Sequence, residues 1–178
     1  MAARDLAFAI ADDMREAYGA DSDITQSVLD TSKLEPVAAA VNDLGSALLG
    51  ATPRYGTRIA EARDRSENYS YPQNSDLLDF IRLLQEPESA GSSAPRVPDA
   101  AVQNVAARVQ SAVSAAVVKN VRGQGHPNSQ GLAIFLPTPG GYLRTDADQA
   151  GGFGQRYSAL SFSKTAPNWQ AFLIGGPP

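Results

Sequence analysis

The run Gly131-Leu132-Ala133-Ile134-Phe135-Leu136-Pro137 sets the tightest local limit on the fold. It is a short apolar stretch, opened by glycine, closed by proline, with glycine-containing loops on both sides. On a strand Leu132, Ile134 and Leu136 point one way and Ala133 and Phe135 the other. Both sets are apolar, so the run predicts a strand packed on both faces, as in the sheet of an α/β protein. Pro137 cannot donate to a ladder and fixes its end.

Upstream, the pattern is mostly helical. Leu6, Ile10, Met14 and Ala17 predict an amphipathic helix over about 4–18, stopped at Gly19. Met1 opens almost directly onto it, the pattern expected of a chain that begins inside a fold. Residues 24–30 predict a strand. Ser32 with Glu35 reads as a capping box for a helix carrying Leu34, Val37, Val41, Leu44 and Leu48, stopped by Gly50. Strand then helix is half of an α/β crossover unit.

Residues 53–68 predict a charged surface helix with Ile59 and alanines to bury. Tyr69, Tyr71 and Pro72 break it. Asn74 or Ser75 would cap a short helix with a buried stripe of Leu77, Phe80, Ile81 and Leu84. Residues 86–98 read as a flexible linker. Val102, Val105, Val109, Val113, Val117 and Val121 place one long helix up to Gly123. Valine is a mediocre helix former, so that helix needs tertiary packing. Glycine-rich loops are expected around 140–141 and 151–152, an extended or turn-like stretch over 157–162, and a last helix from Pro167 with Trp169, Phe172 and Leu173. The domain reading is 1–50 as a helix–strand–helix unit and 51–178 as a second region, able to pack as one unit.

Cysteine is absent from all 178 residues, which removes disulfides, thiolate metal sites and a cysteine nucleophile from this chain. A hydrophobic fraction of 43% with 19% charged residues is that of an ordinary globular domain. A net charge of -4 gives no electrostatic reason for nucleic acid or an anionic membrane as partner. No apolar run reaches membrane-spanning length. The first residues also lack the order of a signal peptide, since Asp12 and Asp13 follow close after Ile10. Arg54, Arg58, Arg63 and Arg65 alternate with Glu61, Asp64 and Glu67, which reads as a solvated helix face.

Each chemically suggestive motif has a plainer reading. His126, the single histidine, sits in Gly125-His126-Pro127-Asn128 and reads as a solvated loop residue. Ser129 lacks the glycine two residues before it that a nucleophile elbow needs, and a strand follows it. Gly123-Gln124-Gly125 follows a helix, so it is no phosphate loop. Asp146, Asp148 and Gly151 do not meet the EF-hand pattern and read as a polar turn. Asp12/Asp13 and Asp76/Asp79 suit helix surfaces or first turns. Asn68-Tyr69-Ser70 fits a glycosylation pattern that is frequent by chance. These readings give no catalytic, cofactor-binding or metal site.

Three blocks nevertheless resemble, in order, the C-terminal part of the clostripain-like family of cysteine endopeptidases, which have a caspase-like fold. Residues 23–34 (Asp-Ile-Thr-Gln-Ser-Val-Leu-Asp-Thr-Ser-Lys-Leu) resemble its apolar-Asp-Leu-Ser-Lys strand and helix start, with Thr31 where leucine is usual. Asp76-Leu77-Leu78-Asp79-Phe80 is similar to its Asp-Leu-x-Asp-Phe helix. Gly131 to Pro137 is similar to its Gly-Leu-Ser-Ile-Tyr-Phe-Pro strand, trailed by Tyr157, Leu160-Ser161-Phe162, Trp169 and Phe172-Leu173.

The resemblance implies the back portion of a caspase-like α/β sandwich plus a mostly helical C-terminal region. It implies a parent enzyme cleaving after Arg or Lys, with its catalytic histidine and cysteine upstream of the matched region. His126 comes too late in the order to be that histidine. A missing N-terminal catalytic half or subunit is then the expected partner, and the parent's peptide or protein substrate the expected ligand. Calcium is possible by the resemblance alone. The chain by itself should be inactive. The alternatives are a stand-alone protein- or peptide-binding module, or the non-catalytic chain of a two-chain peptidase.

Overall fold

The structure is a computed structural model describing residues 2–19, 23–87, 95–144 and 153–178. It is mixed α/β and mostly helical. Helix α1 spans Ala3–Tyr18, strand β1 Thr25–Leu29, helix α2 Leu34–Arg65, strand β2 Asn74–Asp76 and helix α3 Leu77–Gln85. Helix α4 (Ala100–Ala116) then leads into β3 (Val117–Arg122), followed by β4 (Ala133–Phe135) and four short helices: α5 (Pro139–Leu143), α6 (Phe153–Ser158), α7 (Ser161–Thr165) and α8 (Pro167–Gly175).

The strands form two antiparallel pairs, β1 with β3 and β2 with β4. The crossover expected after β1 is therefore not a parallel one: β1 pairs with a strand about ninety residues later, Thr25 opposite Arg122 and Ser27 opposite Asn120. That pairing also overturns the end of the long valine helix. From Val117 the sequence Val-Val-Lys-Asn-Val-Arg is β-branched and half polar, and it fits a pleated pair with β1 better than another turn of helix.

Gly50 does not end α2. The helix passes through it and through Pro53, with its break in geometry at Tyr55 (φ -128°, ψ 17°). Proline removes a backbone donor inside a helix. Here the Thr52 hydroxyl donates to the Leu48 carbonyl at 2.8 Å just before that gap. The continuous helix survives because both halves are packed: Val41, Leu44 and Leu48 before the break and Ile59 and Ala62 after it are buried. The helix crosses residue 50, and one apolar core takes side chains from both sides of it.

Asp30 caps a 3-10 turn over Thr31–Lys33, accepting from the Ser32 amide at 3.0 Å, and this turn runs into α2, whose own N-cap is Lys33; Ser32 is not the cap. Likewise α3 is capped by Asp76, with Asn74 and Ser75 in β2. Leu77, Phe80, Ile81 and Leu84 form its buried stripe as expected.

On α1 the expected apolar stripe is not the buried one. Leu6 and Ile10 are about half exposed, and Ala11 is buried against the β1–β3 pair. The strand β4 is packed on both faces but unequally: on the second face Phe135 stacks on Tyr157 with ring centroids 4.9 Å apart. Ile134 and Leu136 are buried while Ala133 is exposed.

Residues 139–143 are helical where a loop was expected around 140–141, and of the stretch 157–162 expected to be extended or turn-like only 159–160 is a turn between helices; Thr138 caps α5 through the Gly141 amide at 3.0 Å. The linker expected over 86–98 is anchored at both ends, Arg96 N–H donating to the Glu86 carbonyl and Val97 N–H to that of Leu84. Its middle, 88–94, lies outside the described residues.

Helix α8 closes the core. Trp169 is fully buried, its ring tilted against that of Phe172 with centroids 5.3 Å apart, and its indole donates to the Phe135 carbonyl at 3.2 Å. This contact needs Gly45, where a Cβ would stand 2.5 Å from Asn168 and Trp169 backbone atoms.

Candidate functional site

A cluster of polar groups from well-separated stretches of the chain forms where the two strand pairs meet. Asp76 is its centre and is fully buried. As N-cap of α3 its Oδ1 accepts from the Asp79 amide at 3.0 Å. Its Oδ2 accepts from the amides of Gln130 at 2.7 Å and Gly131 at 3.1 Å, and from the Tyr69 phenol at 3.0 Å. Asp79, also buried, accepts from the Glu67 amide at 2.7 Å and pairs with Arg82 at 2.7 Å. Asp79 lies in the first turn of α3 and Asp76 caps it, the helix-start placement their sequence context implied, but neither is on the helix surface. Each carries several donors, the condition under which carboxylates are buried.

Tyr69 links this carboxylate to Ser129, whose Oγ lies 2.8 Å from the phenol oxygen. A phenol has one proton. Since Tyr69 donates it to Asp76, Ser129 donates to Tyr69. The backbone of Ser129 is tied to the other strand pair: its carbonyl accepts from Asn120 at 2.9 Å and Arg122 at 2.6 Å, and Ser27 on β1 donates to Asn120 at 3.2 Å. Gly131 has φ 97°, a left-handed conformation that glycine adopts without steric cost. A Cβ there would also meet Ser27 Oγ at 2.8 Å.

Burial holds the Asp76 carboxyl above the usual aspartate range, against the opposing hydrogen bonds from Gln130, Asp79, Tyr69 and Gly131. Burial also pushes the Tyr69 phenol well up, with the charge of Asp76 adding to it and the Ser129 hydrogen bond opposing. The phenol is thus a neutral donor at ordinary pH. The phenol holds Ser129 in place as its hydrogen-bond acceptor.

His126 is not a solvated loop residue. Its Nδ1 lies 2.9 Å from Glu67 Oε1, its ring packs 5.4 Å from that of Tyr69, and Glu67 Oε2 accepts from the Asn128 amide at 3.1 Å. Arg63 also leaves the solvated face assigned to it: it is buried and donates to the Pro177 and Pro178 carbonyls at 2.8 and 3.0 Å. Asp12 stays on the surface, paired with Lys119, whose hydrogen bond holds its carboxyl low. Asp146, Asp148 and Gly151 lie outside the described residues. Among the described residues no group of three or more metal-ligating side chains forms, and no helix is long and apolar enough to cross a membrane.

Two cavities adjoin the cluster. The polar one, 250 Å³, is lined by Thr25, Ser27, Tyr69, Asn74, Ser129, Gly131 and Ala133. The apolar one, 490 Å³, runs beside β4 between the start of α2 and the α6–α7 region. Asn74 and Ala133 line both, so the two spaces adjoin at the β2–β4 pair.

No protein-family model, no curated protein and no solved structure matches this chain. Sequence reasoning missed Tyr69, Glu67 and Ser129 as partners of Asp76. The one local signal was Asp76-x-x-Asp79 ahead of an apolar run, an acidic variant of a capping pattern that marks the helix start. Nothing local points to the loop that closes on it fifty residues later.

Proposed function

We infer that this chain is a non-catalytic component of a clostripain-like cysteine endopeptidase cleaving after Arg or Lys, completing a partner that carries the histidine and cysteine. The supporting observation is that the three blocks on which the resemblance rests converge in space. Asp76 of the second block accepts from Gly131 of the third, Leu77 N–H donates to the Leu132 carbonyl at 2.9 Å, and Gly131 closes on Ser27 of the first. Residues gathered this way act as one scaffold, and in the caspase-like reading they form the late part of the sheet and its covering helices. A sequence with no cysteine supplies no thiolate, and the part-buried Ser129–Tyr69–Asp76 chain serves to hold a loop.

The test is reconstitution. The chain alone should leave Arg- and Lys-containing peptides uncut, and mixing or co-expression with the histidine- and cysteine-bearing half of a clostripain-like enzyme should give a complex that cuts them. Hydrolysis by the pure chain, or failure of the two parts to associate, would overturn the reading.

The second reading, a stand-alone module for protein or peptide binding, is favoured by the apolar cavity beside β4. It gains if the chain binds peptides and ignores the catalytic half.

A further inference from the structure

One edge of the β2–β4 pair is covered by chain, and the other, among the described residues, carries no paired strand and is capped only at its Phe135 end. Leu77 N–H donates to the Leu132 carbonyl and Leu136 N–H to that of Gln73, on either side of the Ser75–Ile134 pair. In an antiparallel ladder this register turns the amide and carbonyl of Leu132, Ile134 and Leu136 toward β2, and those of Ala133 and Phe135 away from it. The far side of β2 is occupied by 67–69: Asp76 N–H donates to the Glu67 carbonyl and Tyr69 N–H to that of Asn74. On the far side of β4 the Phe135 carbonyl takes the Trp169 indole. Among the described residues no strand pairs there.

The apolar cavity lies along this strand. Four consecutive residues, 132–135, line it. Successive side chains of a strand point to opposite faces, so a space touched by all four reaches the strand's backbone edge. Its further walls are Val37 and Val41 of α2 and Tyr157, Leu160 and Phe162, with Arg156 the one charged lining residue. At its end Asn74 and Ala133 pass into the hydroxyl-lined cavity.

We propose that β4 accepts an extended polypeptide segment of alternating apolar and small polar residues, added as a third strand at the Ala133–Phe135 edge with its apolar side chains in the 490 Å³ cavity. Main-chain groups would supply the pairing and the cavity the choice of side chain, as in recognition by strand addition. A helix would leave the outward Ala133 and Phe135 amides unpaired, and a small apolar molecule would not use them. The strand site rests on the ladder alone; only the identity of the natural donor, the catalytic partner, rests on the function inferred above.

Two peptides of equal composition test it: acetyl-Thr-Val-Thr-Leu-Thr-Val-Thr-amide, which alternates, and acetyl-Thr-Thr-Val-Leu-Val-Thr-Thr-amide, which does not. The alternating peptide should bind at least about tenfold tighter, an increment of the size expected from added hydrogen bonds and burial. It should slow hydrogen exchange at Ala133 and Phe135. Ala133→Pro removes an outward donor and spares the ladder to β2, so it should weaken binding roughly tenfold, while Ala133→Gly, which keeps the N–H, should retain most of it. If Ala133→Pro fails to fold, the amide protection in the natural sequence decides. Equal affinity for both peptides, no binding at millimolar concentration, or no protection of the two amides would overturn the proposal. So would protection of those amides by self-association without peptide, which would give the edge to a second copy. None of these outcomes bears on reconstitution of peptidase activity, so the two readings fail separately.

Discussion

The Tyr69 hydroxyl lies 3.0 Å from Asp76 Oδ2 and 2.8 Å from Ser129 Oγ, joining a helix cap to a loop more than fifty residues away through one phenol. Tyr69→Phe keeps the ring against His126 and deletes only that link. Ser129 Oγ then loses its acceptor in a fully buried residue, and Asp76 loses one donor. The expected loss is about 1–3 kcal/mol, the cost of leaving buried polar groups unpaired. Urea unfolding followed by circular dichroism measures it, and an unchanged midpoint would show that the phenol is not a link in the fold.

Asp76 makes stability depend on pH with a definite sign. Burial raises its carboxyl above the ordinary aspartate value of 3.8, so the folded state holds the proton more tightly than the unfolded chain. Its contribution is most favourable below about pH 3.8, declines as pH rises through the folded value, and is level above it. A carboxyl carbon titration by NMR should place its midpoint above 3.8. Asp76→Asn should remove this component of the pH slope, and it should also destabilise at neutral pH by presenting an amide to groups that are themselves donors. A midpoint at or below the ordinary aspartate value would contradict the account.

Gly45 is required by contact distance. With Asn168 and Trp169 backbone atoms 2.5 Å from where a Cβ would stand, Gly45→Ala must push α8 off α2. Overpacking of this kind costs about 1–3 kcal/mol, more than the helix propensity gained from alanine. Thermal unfolding should show a lower midpoint together with altered Trp169 fluorescence. A more stable variant would mean that α8 yields without loss.

Glu67 holds the 123–131 loop by two contacts, to His126 Nδ1 and the Asn128 amide. Glu67→Ala should release both, since its own backbone bond to Asp79 is untouched by the change. Faster hydrogen exchange at Asn128 with little effect on the α2–α4 core is the expected outcome. Equal protection in the variant would assign the loop's order to Ser129 and its neighbours alone.

The parts of the fold that were legible in the sequence are those whose cause is local. The stop of α1 at Gly19, the buried stripe of α3 and the start of α8 at Pro167 follow from glycine, periodicity and proline within a few residues. The errors share a different origin. Val117 and Val121 continue the four-residue spacing of α4, and only β1, far away in sequence, turns that stretch into a strand. Gly50 reads as a stop until packing on both sides of it is known. The helix-start place of Asp76 is legible but its burial is not, because its partners Gln130 and Gly131 lie more than fifty residues on. Local sequence carries propensity, whereas pairing and carboxylate burial depend on groups brought together by the whole chain.

The two apolar faces of α1 and α2 give the sharpest contrast in expected mutational cost. Leu6 and Ile10 have the helical spacing of a core stripe but are 51% and 48% exposed, while Leu44 and Leu48 of α2, at the same spacing, are fully buried. Burial, not spacing, sets the loss on truncation, because a buried leucine forfeits its transfer energy and leaves a cavity. Leu44→Ala or Leu48→Ala should therefore cost about 2–5 kcal/mol, and Leu6→Ser with Ile10→Ser should stay within about 0.5 kcal/mol each. Equilibrium unfolding of the four variants measures the difference directly. A large loss from the α1 pair would mean that this face is covered in solution.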